Sequence, residues 1–184
     1  MPSKTTLAAI LAVIAAATAS PLTDSSSAAC KVQKNVQQTF YGYPDNSPPG
    51  ASIAYTQCGR SEAGGTGTYD DPLTMATASG ELKVCEIVYA PYLKKYLRYE
   101  DECAQCETDW QSGEWHVDTW TGSSTQNGGQ KQINCEDDLT PDAGQAIIRN
   151  PSKDLPVDTT ALFSNGKCQT SHTYPSYSTS TYCS

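Results

Sequence analysis

Residues 98–120, RYEDECAQCETDWQSGEWHVDTW, decide how the rest of the chain is read. They hold all three tryptophans, one of the two histidines and two cysteines among closely spaced carboxylates. Leu97-Arg98-Tyr99-Glu100-Asp101 reads as an acid-bearing strand that enters a Cys103-x-x-Cys106 loop, and Trp115 to Trp120 reads as the strand that leaves it. Side chains alternate along a strand with period two, which puts His116, Asp118 and Trp120 on one face and Trp115, Val117 and Thr119 on the other. A carboxylate between an imidazole and an indole suits a sugar, because ring faces accept its apolar faces while the carboxylate moves protons.

Outward from this block, composition bounds the answer. The first 19 residues look like a secretion leader: Lys4, an apolar run from Leu7 to Ala17 too short to span a bilayer, and Ala17-Thr18-Ala19 before the cut. No later segment has the length and apolarity of a membrane helix. A secreted, extracellular chain with one core is expected. Its eight cysteines, Cys30, Cys58, Cys85, Cys103, Cys106, Cys135, Cys168 and Cys183, then read as four disulfides of undetermined pairing. Zinc at Cys103-x-x-Cys106 would need a second ligand pair, and no βαβ pattern surrounds the motif to support thioredoxin-like chemistry. No metal and no cofactor are expected. Acidic residues outnumber basic ones by 20 to 12, which disfavours nucleic acid and anionic lipid and leaves a neutral polysaccharide as the fitting partner of a monomer.

Along the chain, residues 20–35 form a flexible lead-in. Val36 to Tyr43 is a first strand, broken by the turn Pro44 to Gly50, and Ser52 to Gln57 a second. Gly59 to Asp71 is a glycine-rich loop without the Lys-Ser/Thr ending of a phosphate loop. Leu73 to Thr77 is a strand or one helical turn, and Leu82 to Leu97, interrupted by Pro91, carries the strongest β-propensity. Residues 121–131 are a polar loop, Gln132 to Cys135 the last barrel strand, and Ala143 to Arg149 hints at helix. Many short strands with frequent turns argue for an all-β barrel or sandwich with small α content.

Several of these residues are familiar in combination. Thr39-Phe40-Tyr41-Gly42 followed by Asp45 resembles the opening Thr-x-Tyr strand and aspartate of expansins and family 45 endoglucanases. His116-Val117-Asp118 resembles their His-Phe-Asp motif, and the order of Val84 through Asp101 to Asp118 is similar to that of 3D domains and lytic transglycosylases of the A type. Tyr41-Gly42-Tyr43, Gly65-Thr66-Gly67-Thr68-Tyr69 and Asp71-Pro72 add a similarity to secreted fungal muramidase-like catalytic domains. The chain departs from these patterns by lacking a cysteine pair after Asp45 and by carrying Glu102-Cys103 where glycines are usual. The resemblance spans residues 36–135. It implies a six-stranded double-psi β-barrel over 36–140, with residues 141–184 as a C-terminal extension packed on it or tethered to it.

It also implies glycoside cleavage by carboxylates at the barrel rim, one protonated to assist the leaving oxygen and one ionised. Asp118 and Asp101 are the expected pair, with Asp45 in reserve. Tyr41, His116, Trp120, Asp70 and Asp71 are expected to line the substrate. Each has a plainer reading: Asp118 and Asp45 as turn acceptors, Asp101 as one of a solvated Glu100-Asp101-Glu102 cluster, the rings as packing. The expected activity is that of a muramidase or lysozyme on peptidoglycan. The alternatives are a β-1,4-glucan endoglucanase, a non-catalytic expansin-like module that binds polysaccharide, and a secreted inhibitor.

Overall fold

The computed structural model describes residue 1 and residues 29–183, so the expected leader beyond its first residue, and the first part of the lead-in, lie outside the described residues. Eight strands and two helices follow in order: β1 (Lys31–Gly42), β2 (Leu73–Thr77), β3 (Ile87–Ala90), β4 (Lys95–Glu102), α1 (Ala104–Gln111), β5 (Trp115–Thr121), α2 (Gly129–Leu139), β6 (Gln145–Arg149), β7 (Phe163–Ser164) and β8 (Lys167–Cys168). Six of the strands close into a barrel in the order β1-β5-β2-β4-β3-β6, while β7 and β8 form a separate hairpin. Pairing is mixed: β1 runs parallel to β5 and β2 to β4, the remaining pairs being antiparallel. The all-β class with small α content and the closed six-stranded barrel are as expected.

Burial explains the strand sequences. β2, with a strand on each side, is buried at all five positions of its Leu-Thr-Met-Ala-Thr. In β1 the pattern is one-sided at first, Val36 and Gln38 buried while Asn35 and Gln37 are exposed, and closes in by Phe40, Tyr41 and Gly42. Gly42 has a specific reason: a Cβ there would sit 1.9 Å from Gln132 Nε2, because α2 lies flush on the end of β1. A β-bulge shapes the far side. β2 and β4 pair Met75 with Tyr99 but Ala76 with Asp101, so Glu100 is an extra residue in β4. The bulge turns two successive acids inward instead of alternating them. Glu100 is fully buried between Arg98 Nε at 2.6 Å and Arg60 Nε at 3.3 Å, and Asp101 is 6% exposed. Of the expected solvated cluster only Glu102 faces water.

Several expected elements are corrected. β1 begins at Lys31, so the end of the supposed lead-in is strand, with a register shift between Gln33 and Val36. Ser52 to Gln57 makes only an isolated bridge from Ser52 to Glu62 before a short 3-10 turn at Thr56–Cys58, since Tyr55 N is drawn to Glu100 O at 3.0 Å. The Cys-x-x-Cys loop opens α1, Cys103 capping it through Sγ. Gln132 to Cys135 belongs to α2, not to a strand, and the sixth barrel strand is β6, beyond the boundary expected at 140 and in the stretch read as helical. A three-residue apolar run, Ala146 to Ile148, suits either state, and the open position between β1 and β3 settles it as strand.

All eight cysteines are paired: Cys30–Cys183, Cys58–Cys85, Cys103–Cys106 and Cys135–Cys168. The extension packs on the barrel. Tyr89 Oη donates to Pro156 O at 2.7 Å, Tyr96 Oη to Ser152 O at 2.6 Å, and Tyr174 N to Tyr92 O at 2.7 Å. Tyrosine suits this work, because its ring fills the apolar layer while its hydroxyl satisfies backbone that would otherwise be orphaned.

Candidate functional site

The parallel pair β1/β5 sets the site. Its register places Thr39 opposite Asp118 and Tyr41 opposite Trp120, so acid, hydroxyl and phenol from segments far apart in sequence emerge together. An open cleft of about 780 Å³ lies there, lined among others by Tyr41, Asp45, Asp101, Glu102 and Asp118. Phe40, Ile53 and Pro48 give it apolar walls. Thus Asp45, Asp101, Asp118 and Tyr41, four of the eight expected site residues, share one groove.

The three acids differ in environment. Asp118 accepts from Thr39 Oγ1 at 2.8 Å and is hemmed in by protein, only part of it reaching solvent. Burial pushes its carboxyl up to about 7, the charges of Asp45 and Asp101 add to the rise, and the Thr39 bond opposes it. Asp101 is also raised, chiefly by burial, but three donors pull it back: Tyr41 Oη at 2.8 Å, Ala54 N at 3.0 Å and Glu102 N at 3.0 Å. Asp101 therefore has three donors that favour its charge, while Asp118 has the Thr39 donor set against a rise to about 7. Asp45 is exposed at the rim, where Oδ1 accepts from Gly42 N at 2.9 Å. It closes the turn after β1 and also lines the cleft.

Trp120 and His116 serve the site from behind. Trp120 is fully buried and meets Tyr41 edge-on at 5.2 Å, so it props the phenol instead of touching a ligand. His116 is 2% exposed, with Nε2 2.8 Å from Thr39 Oγ1 and Nδ1 2.7 Å from Asp109 Oδ2. The expected common face of His116, Asp118 and Trp120 is real as strand geometry, but barrel closure and α1 cover two of its three members. Asp70 and Asp71 stand apart from the cleft. Asp71 closes the glycine-rich loop, accepting from Thr66 N at 2.9 Å and pairing with Arg60 at 3.0 Å, and Asp70 is exposed on the same loop.

Two residues were not foreseen. Glu136 on α2 is buried, accepts from Thr121 Oγ1 at 2.6 Å, and is raised by burial and by the neighbouring Asp45 charge. Asp109 on α1 is the acid behind His116, and that bond holds its carboxyl below the usual range. Glu136 carries only a helical clue, its spacing from Gln132, Cys135 and Leu139, the other buried residues of α2. Cys103, Cys106 and His116 bring metal-ligand atoms within 4.8 Å of one another. The disulfide takes both sulphurs, however, and the imidazole is engaged at both nitrogens.

Comparison with known proteins places the chain in a family. Residues 33–169 match the family described as the DDB_G0273701 N-terminal domain, and the chain belongs to it. A Dictyostelium discoideum protein, DDB_G0273701/DDB_G0273221, is 43% identical over 153 residues, covering 82% of this chain. The match takes in 65% of that relative, so this chain spans a little under two thirds of its length. No solved structure matches the chain.

Proposed function

We propose that this member of the DDB_G0273701 N-terminal domain family is a secreted glycoside hydrolase acting on cell-wall polysaccharide, peptidoglycan before β-1,4-glucan or chitin. Asp118 serves as general acid and Asp101 as the ionised partner, with Asp45 shaping the rim. The observation that carries this reading is the meeting of Asp101 and Asp118 in one open cleft in unlike environments. Glycoside cleavage needs such a pair: one carboxyl must protonate the leaving oxygen while the other activates water or steadies the oxocarbenium-like centre. The Tyr41 hydroxyl and the two backbone donors hold Asp101 in place and favour its charge. Phe40, Ile53 and Pro48 give the cleft apolar walls against which a sugar face can lie.

The test is to incubate the protein with bacterial cell walls and, separately, with cellulose and chitin, and to measure new reducing ends. Release that drops by about two to four orders of magnitude in Asp118→Asn and Asp101→Asn supports the assignment. Binding without release from any of these polymers would replace it with an expansin-like binding module. Neither binding nor release would remove the polysaccharide reading altogether.

A further inference from the structure

His116 and Asp109 lie outside the cleft, yet they are joined to Asp118 by an unbroken set of hydrogen bonds. Asp109 Oδ2 is 2.7 Å from His116 Nδ1, His116 Nε2 is 2.8 Å from Thr39 Oγ1, and Thr39 Oγ1 is 2.8 Å from Asp118 Oδ1. We propose that Asp118 and His116 share one proton through the Thr39 hydroxyl, with Asp109 deciding which end holds it. The use of that proton in catalysis rests on the hydrolase reading; the sharing itself does not.

Thr39 has a single hydroxyl proton and stands between two groups that both require its attention. With Asp118 ionised, Thr39 donates to the carboxylate. His116 Nε2–H then donates to the Thr39 oxygen, and Nδ1–H donates to Asp109, so the ring is an imidazolium. With Asp118 protonated, the acid donates to the Thr39 oxygen, Thr39 donates to Nε2, and the ring is neutral with its proton on Nδ1. The two arrangements contain the same number of protons. In passing from the first to the second, the Nε2–H bond breaks as the Thr39 oxygen gains that proton. The old Thr39 O–H bond breaks as its proton reaches Asp118 Oδ1. Charge moves by one unit, and no other reactant takes part. Asp109 stays ionised throughout, so its charge favours the imidazolium form.

The surroundings are set up for this exchange. His116 is buried, and its backbone N–H is taken by Glu81 Oε1 at 2.7 Å, which fixes the strand on which the ring is carried. The titratable groups facing the unit are acids and one phenol: Asp45 after β1, Tyr41 on β1, Asp101 on β4 and Glu136 on α2 toward Asp118, with Asp109 on α1 and Glu81 toward His116. Raising the charge on Asp118 in such company is costly, and an imidazolium within the same hydrogen-bonded unit offsets it. His116, Thr39 and Asp109 are thus positioning residues for the general acid.

Heteronuclear NMR of the Asp118 carboxyl carbon and the His116 ring nitrogens tests the proposal without any glycan, so it stands or falls apart from the hydrolase reading. In the wild type the two signals are expected to report the same macroscopic steps, with common midpoints, because the titration belongs to the pair. Thr39→Val separates the midpoints and Thr39→Ser restores the common one. Asp109→Asn removes the charge that favours the imidazolium and moves the ratio of the two forms toward protonated Asp118 by about tenfold or more. Independent midpoints in the wild type overturn the proposal, as does a common midpoint that survives in folded Thr39→Val. The wild-type measurement decides the matter even if a variant fails to fold.

Discussion

Replacing Asp118 by asparagine is expected to stabilise the protein, and only at one end of the pH scale. Asp118 titrates at about 7 in the fold, against about 3.9 for an aspartate in an unfolded chain. The folded state therefore binds this proton more tightly, so the wild type is favoured below the unfolded value and loses that advantage as pH rises through about 7. The difference between the two values corresponds to at most roughly 4 kcal/mol above neutrality, less by whatever share of the proton His116 carries. Asparagine keeps an oxygen to accept from Thr39 and carries no charge, so the Asp118→Asn chain escapes the loss. Asp101, also raised, is present in both chains and cancels. In urea unfolding the variant and wild type should nearly coincide at about pH 4, and at about pH 8 the variant's midpoint should lie higher by roughly 1–2 M. A midpoint difference that is the same at both ends, or a wild type that weakens toward acid relative to the variant, would refute the assignment of a proton-retaining Asp118.

Other substitutions probe the rest of the site and its frame. Tyr41→Phe removes one of the three donors to Asp101, a bond to a charged group worth roughly 1.5–3 kcal/mol; the Asp101 midpoint read by NMR should rise by about one to two pH units. Gly42→Ala drives a methyl into Gln132 and Glu136, and should cost about 1–3 kcal/mol in chemical denaturation while disturbing the buried end of α2. Glu100→Ala leaves Arg60 and Arg98 without their shared buried acid and should cost roughly 3–5 kcal/mol, measured the same way.

The site was more legible than the barrel's order. Alternation along Trp115 to Trp120 put Asp118 on a defined face, and the Thr39-x-Tyr41 and His116-x-Asp118 motifs supplied the partners that the β1/β5 register then aligned. Alternation alone could not say that Asp101 turns inward beside Glu100. That depends on the bulge, a property of how β4 pairs with β2 and not of either strand. Nor could it tell a lining ring from a supporting one, since Trp120 and Tyr41 alternate in kind but differ in what covers them. The exchange of α2 and β6 has a different cause. Gly128 and Gly129 open α2 without a side-chain cap, hiding its start, and Gln145–Arg149 is too short to show a period. Asp109 and Glu136 belong to no motif, and only the packing of α1 and α2 against the barrel gives them a role.

The place of β6 between β1 and β3 governs when this protein can fold. A nascent chain that has emerged as far as Thr121 already owns five of the barrel strands, yet the first and third have nothing to join them. Until Gln145–Arg149 leaves the ribosome, the assembly is a curled sheet with two bare edges, a form prone to sticking to its neighbours. The ring shuts only once β6 has emerged, and the Cys30–Cys183 bond can fasten it only after residue 183 arrives. Closure is therefore a single step that waits on one five-residue strand.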